Sequence, residues 1–145
     1  MPRKNKKLPR HLLVIRTSAM GDVAMLPHAL RALKEAYPEV KVTVATKSLF
    51  HPFFEGLDVG FLDIETRRTH RGIRGAIRFA REAAELKIDA VADMHNVLRS
   101  KMVRAALHLR GIPVSVIHKG RIEKYMRLGR GSEGVKPSKH TVIRY

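Results

Sequence analysis

The stretch HLLVIRTSAMGDVAMLPHALRALKEAY, residues 11–37, decides the fold. Its first part, His11–Ile15, is an apolar run that predicts a buried strand. Its last part, residues 24–37, repeats apolar side chains at helical spacing, and Pro27 places the start of regular helix near Leu26. Small and acidic residues separate the two parts. A strand, a loop and a helix in this order form half of a βαβ unit.

The rest of the chain repeats this alternation. Further strands are predicted over residues 40–44, 59–64, 90–94 and 114–117. Helices are predicted over residues 48–55, 70–87 and 97–110, the last closed by Gly111 in a left-handed cap. Strands that alternate with helices give a parallel sheet with right-handed crossovers. We therefore expect a three-layer, Rossmann-like α/β domain with about five strands.

The helix at 70–87 combines two stripes. One is apolar and the other consists of arginines at nearly the same spacing, a quarter to a third of a turn away. We expect the apolar stripe to be buried and the arginines to form a basic ridge beside it. The ridge is either a surface for anions or a set of ordinary solvated side chains, and the sequence leaves both open. The apolar stripe is Ile73, Ile77, Ala80 and Ala84, and the arginines are Arg71, Arg74, Arg78 and Arg81.

Charge and composition limit the partners. The 145 residues include 29 basic and 13 acidic ones, a formal net charge of +16. Such a chain attracts nucleic acid, anionic lipid or phosphorylated sugars, and residues 1–10 read as a flexible basic arm. Cysteine and tryptophan are absent, which excludes disulfides and weakens the case for base stacking. No apolar run approaches the ~20 residues of a membrane span, and we expect no signal peptide.

Polar side chains gather where the predicted strands end. In a parallel sheet these ends share one edge, so we expect a cleft there. The first loop has one glycine, Gly21, so it fits neither a dinucleotide fingerprint nor a P-loop. Asp22 either caps the following helix or accepts a proton from a sugar hydroxyl. No histidine or carboxylate spacing predicts a metal. The strand-end residues are Thr17, Ser18, Gly21, Asp22, Glu65, Thr66, Arg67, Arg68, Asp93, His95, Asn96, His118, Lys119 and Arg121.

Three segments resemble the ADP-heptose:lipopolysaccharide heptosyltransferases, glycosyltransferase family 9. LLVIRTSAMGDVAMLPHALRALKEAYP (12–38) is similar to the family's amino-terminal signature, with His28 where alanine is usual. IDAVADMHNVLRSKMVRAAL (88–107) is similar to a second segment, with His95 in place of glutamine. KHTVIRY (139–145) is similar to a third.

The resemblance implies the amino-terminal half of a GT-B fold, which binds the lipopolysaccharide acceptor, and an inverting transfer without a metal. It implies that Asp22 is the general base and that Thr17, Ser18 and Gly21 belong to the donor and acceptor loop. It implies an acceptor rich in Kdo carboxylates and phosphates, an ADP-sugar donor, and a cytoplasmic enzyme peripheral to the inner face of the inner membrane. The acceptor contacts implied are Arg67 and Arg68, with Arg71, Arg74, Arg121 and Lys124 as further candidates.

Family members continue beyond the position of Tyr145 into a domain that binds the donor. We therefore expect residues 11–145 to form an acceptor-binding domain that takes up anions but does not transfer sugar unaided. Two other functions remain open. The charge also suits a nucleic-acid-binding module, although nucleic acid is not the expected partner, and the fold class also suits a regulatory nucleotide-binding domain.

Overall fold

The computed structural model describes residues 8–65, 67–95 and 97–116. Within them the predicted alternation of strands and helices is confirmed. The described strands form a five-stranded sheet of order β3-β2-β1-β4-β5, in which every neighbouring pair is parallel. In chain order the elements are β1 (His11–Ile15), α1 (Met20–Ala36), β2 (Lys41–Thr46), a 3₁₀ helix (Ser48–Phe54), β3 (Gly60–Asp63), α2 (Gly72–Glu85), β4 (Ala90–Asp93), α3 (Leu98–His108) and β5 (Val114–Val116).

Two helical layers cover the two faces of the sheet. Val14 of β1 packs on the side covered by α1 and the 3₁₀ helix, where Val23, Leu26 and Phe54 complete an apolar cluster. The neighbouring residues of β1, Leu13 and Ile15, pack on the opposite side with α2 and α3. The alternation along β1 follows from the two-residue period of a strand. The predicted three-layer arrangement is therefore confirmed.

Helix α1 begins earlier than expected. It starts at Met20 rather than near Leu26 and contains Pro27. Pro27 has no N–H to donate within the helix, which costs about 3 kcal/mol. Val23 and Leu26 are almost completely buried, and burial of each such side chain contributes about 1.5–3 kcal/mol. Packing on the sheet thus offsets the missing hydrogen bond and extends the helix toward its amino terminus.

Helix α2 buries a different face from the expected one. Ile73 is 68% exposed and Ile77 is 48% exposed, so the predicted apolar stripe is wrong except at Ala80. Phe79 takes the central place instead, since an aromatic ring buries more apolar area than an isoleucine. Small residues flank it and let the helix approach the sheet closely. The buried face is Gly75, Ala76, Phe79, Ala80 and Ala83.

The end of α3 follows the prediction. Gly111 adopts a positive φ of 75°, and its N–H donates to the carbonyl of His108 at 2.9 Å. A residue with a side chain is strained in this backbone conformation. The chain therefore leaves α3 sharply and returns to the sheet as β5.

A buried histidine fixes the start of β1. His11 Nδ1 donates to the carbonyl of Leu86 at 2.9 Å, and its Nε2 accepts from Thr43 Oγ1 at 2.7 Å. This pairing uses the neutral ring, and burial lowers the pKa of His11. Asp89 accepts from the backbone N–H groups of Arg10 and His11, both at 2.9 Å. Arg10, expected in the basic arm, is thus tied to the domain, while residues 1–7 lie outside the described residues.

The register places three strand ends level with one another. Ile15 of β1 lies opposite Ala45 of β2 and opposite Asp93 of β4. The chain runs from β1 outward to β2 and β3, then crosses back to β4 on the other side of β1. The order therefore reverses between β1 and β4, and open α/β sheets bind ligands at such a point. We call this level edge, made by the described residues 16–22, 47–48, 63–65, 67–68 and 93–95, the carboxyl rim.

Candidate functional site

Arg16 is the centre of the carboxyl rim. It follows β1 directly, and its backbone N–H continues the sheet by donating to the carbonyl of Ala45 at 3.0 Å. Its side chain is only 5% exposed. The guanidinium donates to the carbonyl of Met94 and to the carboxylate of Asp22. Arg16 thereby ties the end of β4 to the first turn of α1.

Asp22 lies in that first turn, with its side chain 34% exposed. Ala19 is the N-cap residue of α1 and no side chain caps the helix, so the alternative that Asp22 acts as a cap is wrong. Its Oδ2 atom accepts from Arg16. The other oxygen, Oδ1, accepts no hydrogen bond from any residue that the structure describes. One carboxylate oxygen is therefore held in place, and the second has no hydrogen-bond partner within the described ranges.

The loop after β4 meets the loop after β1. Ser18 Oγ lies 3.4 Å from His95 Nε2, and the backbone N–H of His95 donates to Asp93 Oδ1 at 3.0 Å. Asp93 is fully buried and lies 3.6 Å from Arg104 Nε of α3. Thr17, expected in the site, is itself buried. The point of strand reversal is thus lined by hydroxyls, an imidazole and buried charge pairs.

Gly21 is exposed in the first turn of α1. A Cβ atom built there would meet nothing within 4 Å, so packing does not require glycine at this position. The glycine is therefore available for the predicted close approach of a ligand, which stays a prediction.

Arg67 and Arg68 line an open cleft of about 420 Å³ beyond β2 and β3. Cavities of roughly 300–1,000 Å³ accommodate small ligands. Adjacent strands lie ~4.8 Å apart, so the exit of β3 is roughly 10 Å from that of β1 along the same rim. The cleft is lined by Lys47, Ser48, Asp63, Ile64, Glu65, Arg67 and Arg68.

The acidic residues of this cleft already have partners. Asp63 Oδ1 lies 2.7 Å from His51 Nε2, and Glu65 Oε2 accepts from Thr69 Oγ1 at 2.9 Å. The cationic side chains of Lys47, Arg67 and Arg68 face the same space. Because three cationic side chains line the cleft against two carboxylates, the cleft favours an anion, and guanidiniums suit carboxylate or phosphate.

Backbone and side-chain bonds hold the turn that carries the two arginines. The carbonyl of Glu65 accepts from the N–H groups of Arg68 at 3.3 Å and His70 at 3.0 Å. His70 Nδ1 accepts from the N–H of Glu65 at 3.1 Å, and His70 Nε2 lies 3.0 Å from Glu82 Oε2 on α2. These bonds fix the turn against α2. The rim therefore presents Arg67 and Arg68 from a braced turn.

A second cavity is too small for a sugar. It has a volume of about 20 Å³ and lies beneath the rim, between Thr17, His95 and the inner faces of α2 and α3. That space holds roughly one water molecule. Of these two spaces, only the open cleft is large enough for a small ligand.

The other arginines predicted as acceptor contacts do not line the cleft or lie outside the described residues. Arg71 precedes α2 as its N-cap residue, and Arg74 lies on the outward surface of that helix; neither lines the cleft. Arg121 and Lys124 lie outside the described residues, as do Thr66, Asn96, His118 and Lys119.

Three residues of the rim were not predicted as site residues. Lys47 and Ser48 follow β2, and the same reasoning about strand ends that singled out the other loops would have found them. Arg16 gave a different signal, an arginine directly after a buried apolar strand with an aspartate six positions later. A cation in that position needs a buried partner.

The described part of the chain contains neither a group of metal ligands nor a helix that could span a membrane. No group of three or more histidine, aspartate or glutamate side chains there is arranged to hold a metal ion. None of its helices is long and apolar enough to cross a bilayer.

Comparison with solved structures gives several similar folds. A family 9 glycosyltransferase from Veillonella parvula matches with a TM-score of 0.65 and 17% identity over 79% of this chain and 38% of that one. The E. coli ADP-heptose LPS heptosyltransferase II matches with a TM-score of 0.56 and 21% identity. That match covers 73% of this chain and 30% of the heptosyltransferase. The E. coli heptosyltransferase WaaC, solved with ADP, matches with a TM-score of 0.59 and 23% identity. That match covers 92% of this chain and 44% of WaaC. The chain has the fold found in these glycosyltransferases.

The comparisons also limit what the fold implies. No family model and no curated protein sequence matches the chain. It spans 30% to 44% of the three solved glycosyltransferases. UDP-N-acetylglucosamine 2-epimerases share the fold at TM-scores of 0.57 and 0.56. The fold therefore serves more than one reaction on sugar nucleotides, and function has to be argued from the rim.

Proposed function

We propose that the chain is the amino-terminal, acceptor-binding domain of an inverting glycosyltransferase. The donor is ADP-heptose or a related nucleotide sugar, and the acceptor is the lipopolysaccharide inner core. The observation that carries the proposal is the carboxyl rim, which combines a braced carboxylate, Asp22, with an anion cleft at Arg67 and Arg68. The heptosyltransferases among the similar structures support the choice of donor.

The cleft suits an acidic sugar. Lys47, Arg67 and Arg68 line it, while its own carboxylates are engaged with His51 and Thr69. A Kdo residue carries a carboxylate, and inner-core phosphates add further charge. Each anionic group can be bound by a guanidinium through two hydrogen bonds. We therefore place the acceptor acids in the cleft and the acceptor hydroxyl toward Asp22.

Asp22 is the proposed general base. The acceptor hydroxyl donates its proton to Oδ1 of Asp22 as its oxygen forms a bond to the anomeric carbon. The bond from that carbon to the diphosphate breaks, and ADP leaves with the electron pair. Attack from the face opposite the leaving group inverts the anomeric centre. A positioned base of this kind contributes roughly 10²–10⁴-fold to the rate, and Arg16 orients the carboxylate.

Most donor contacts lie in a second domain in this proposal, so the 145-residue chain binds the acceptor but does not transfer sugar. The enzyme would work in the cytoplasm at the inner face of the inner membrane, where its acceptor is made. The formal charge of +16 would favour that location, because anionic lipid attracts basic surfaces.

Binding of a lipid-free oligosaccharide that carries two Kdo residues tests the proposal. We expect calorimetric binding by the chain and a loss of about tenfold or more in Arg67→Gln/Arg68→Gln, since each variant removes a charge-assisted contact. Arg31→Gln is the control, because Arg31 is an exposed residue of α1 that does not line the cleft. Equal affinity of the double variant and the wild type would refute the acceptor site.

The same titration separates the two other functions. Random duplex DNA that binds more tightly than the oligosaccharide, with a steep salt dependence, would favour a nucleic-acid-binding module. Tight binding of ADP by this chain alone would favour a regulatory nucleotide-binding domain.

A further inference from the structure

The outward surface of α2 combines exposed isoleucines with arginines. Ile73 and Ile77 are 68% and 48% exposed, and they follow one another along one side of the helix. At 100° per residue, Arg74 and Arg81 lie directly beside them on the same arc. We call these four residues the α2 face. A solvated helix surface does not need two adjacent isoleucines, and adjacent exposed apolar side chains are typical of a surface that binds a partner.

The charges of the α2 face are available to a partner. Arg78, at the edge of the face, pairs with Glu82 at 3.2 Å, and Glu82 also binds His70. Glu85 lies at the border of the same surface. Arg74 and Arg81 form no ion pair with any residue in the described ranges. Within the described ranges, two guanidiniums without an ion pair thus lie along one side of two exposed isoleucines.

We propose that the α2 face docks the domain on an anionic phospholipid bilayer. The isoleucines enter the boundary between headgroups and acyl chains, and Arg74 and Arg81 bind lipid phosphates around them. An apolar strip with basic side chains beside it characterises helices that lie in a membrane interface. The inference rests on the proposed function in one respect, since a lipid-linked acceptor gives the domain a reason to reach the membrane.

Charge complementarity selects this occupant over the others. A second copy of the chain would bring arginines against arginines in a protein with a formal charge of +16. Nucleic acid would pair with the arginines but leave both isoleucines in water, and the face carries no aromatic ring for stacking. An anionic bilayer satisfies both parts of the face together. It also leaves the carboxyl rim open, since the isoleucines lie on the outer side of α2.

Sedimentation with vesicles tests the docking. The 145-residue chain is mixed either with vesicles of phosphatidylglycerol and phosphatidylethanolamine or with vesicles of phosphatidylcholine alone. Both mixtures contain about 0.15 M salt, where the Debye length is ~8 Å. We expect binding to the anionic vesicles only. Ile73→Ser/Ile77→Ser should reduce the partition coefficient about tenfold without changing the charge. Arg74→Gln/Arg81→Gln should reduce it roughly 25-fold, at about fivefold per basic residue.

Two variants serve as matched controls. Leu109→Ser removes an apolar side chain that is 88% exposed at the end of α3, and Arg31→Gln removes a charge on α1. Both should change the partition coefficient by less than twofold. All of the substituted side chains are exposed, so circular dichroism should show unchanged helix content and unfolding temperature.

Several results would overturn the docking. Wild-type binding to anionic vesicles that survives Ile73→Ser/Ile77→Ser would assign the attraction to charge elsewhere in the chain. A wild-type chain that does not bind anionic vesicles would also overturn the docking. So would a wild-type oligomer that dissociates in the isoleucine variant while vesicle binding persists, because the isoleucines would then bind a second copy of the chain. The isoleucine variant should still bind the lipid-free oligosaccharide at Arg67 and Arg68. Failure of docking and failure of the proposed acceptor site are therefore separate outcomes.

Discussion

The pair of Arg16 and Asp22 offers the sharpest test of how the rim is built. Asp22→Ala removes the carboxylate that pairs with the buried guanidinium of Arg16 and leaves the hydrogen bond from that guanidinium to the Met94 carbonyl. Removing one partner of a fully buried pair costs about 3–5 kcal/mol, whereas an exposed pair contributes about 0–1 kcal/mol. Arg16 is 5% exposed and Asp22 is 34% exposed. Solvent therefore screens one end of the pair, and we expect a loss of about 2 kcal/mol in the free energy of unfolding.

The assay is chemical and thermal unfolding followed by circular dichroism, since the chain has no tryptophan for fluorescence. A loss of 2 kcal/mol corresponds to a fall of roughly 6–8 °C in Tm for a domain of this size. The variants Asp22→Ala, Arg16→Met and the double variant form a thermodynamic cycle. Because Arg16→Met removes the buried charge, the double variant should be about as stable as Arg16→Met alone.

Two results would refute this reasoning. A loss below about 0.5 kcal/mol in Asp22→Ala would place the pair among surface contacts that contribute little. Additive losses in the double variant would mean that the two side chains do not act on each other. The result also governs later tests of catalysis, because loss of activity in an Asp22 variant means loss of the base only if the domain stays folded.

Three further predictions concern the core and pH. Gly75→Ala should lower the free energy of unfolding by more than about 2 kcal/mol, because its Cβ would lie 2.1 Å from a backbone atom of His70. Overpacking of a core costs about 1–3 kcal/mol or more. Gly21→Ala is the matched control and should gain about 0.5 kcal/mol in its open helical position; thermal unfolding compares the two, and equal losses would contradict the packing. Phe79→Ala should cost about 3–5 kcal/mol by urea unfolding, because the ring is almost completely buried and leaves a cavity; a loss under 1 kcal/mol would argue against the observed face of α2. Burial lowers the pKa of His11, so the unfolded chain takes up the proton first and stability should fall as pH drops below about 6.5. His11→Gln should flatten unfolding free energy against pH between 7.5 and 5, and an unchanged slope would exclude His11 as the cause.

The position of the strands could be predicted because local pattern suffices for it. Residues 11–15 and 90–94 are short apolar runs bounded by polar loops, and the structure has strands there. Loops that follow parallel strands share an edge by geometry alone, so Asp22 and the pair Arg67 and Arg68 could be assigned to one rim. That assignment needed no knowledge of any side-chain contact.

The contacts within the rim could not be predicted in this way. Taken alone, Asp22 favoured the role of a helix cap, and the spacing of Arg16 and Asp22 showed at most that the arginine needs a buried partner, not that its guanidinium would bind Asp22 Oδ2. Lys47 and Ser48 entered the cleft because the register of β2 and β3 brings both strand exits to one place. Such neighbours come from different parts of the chain, and no periodicity reports them.

By itself the sequence determined the order of strands and helices, the parallel sheet and the excess of positive charge, since each depends on residue type and short-range spacing. The tertiary structure decided which side of each element is buried. In α2 the isoleucine stripe and the stripe around Phe79 both had helical spacing, and the sequence pattern favoured the wrong one. Packing chose the stripe with one aromatic ring and small neighbours, because only that side lets the helix lie close to the sheet and to α3. The isoleucines were left in solvent beside the arginines.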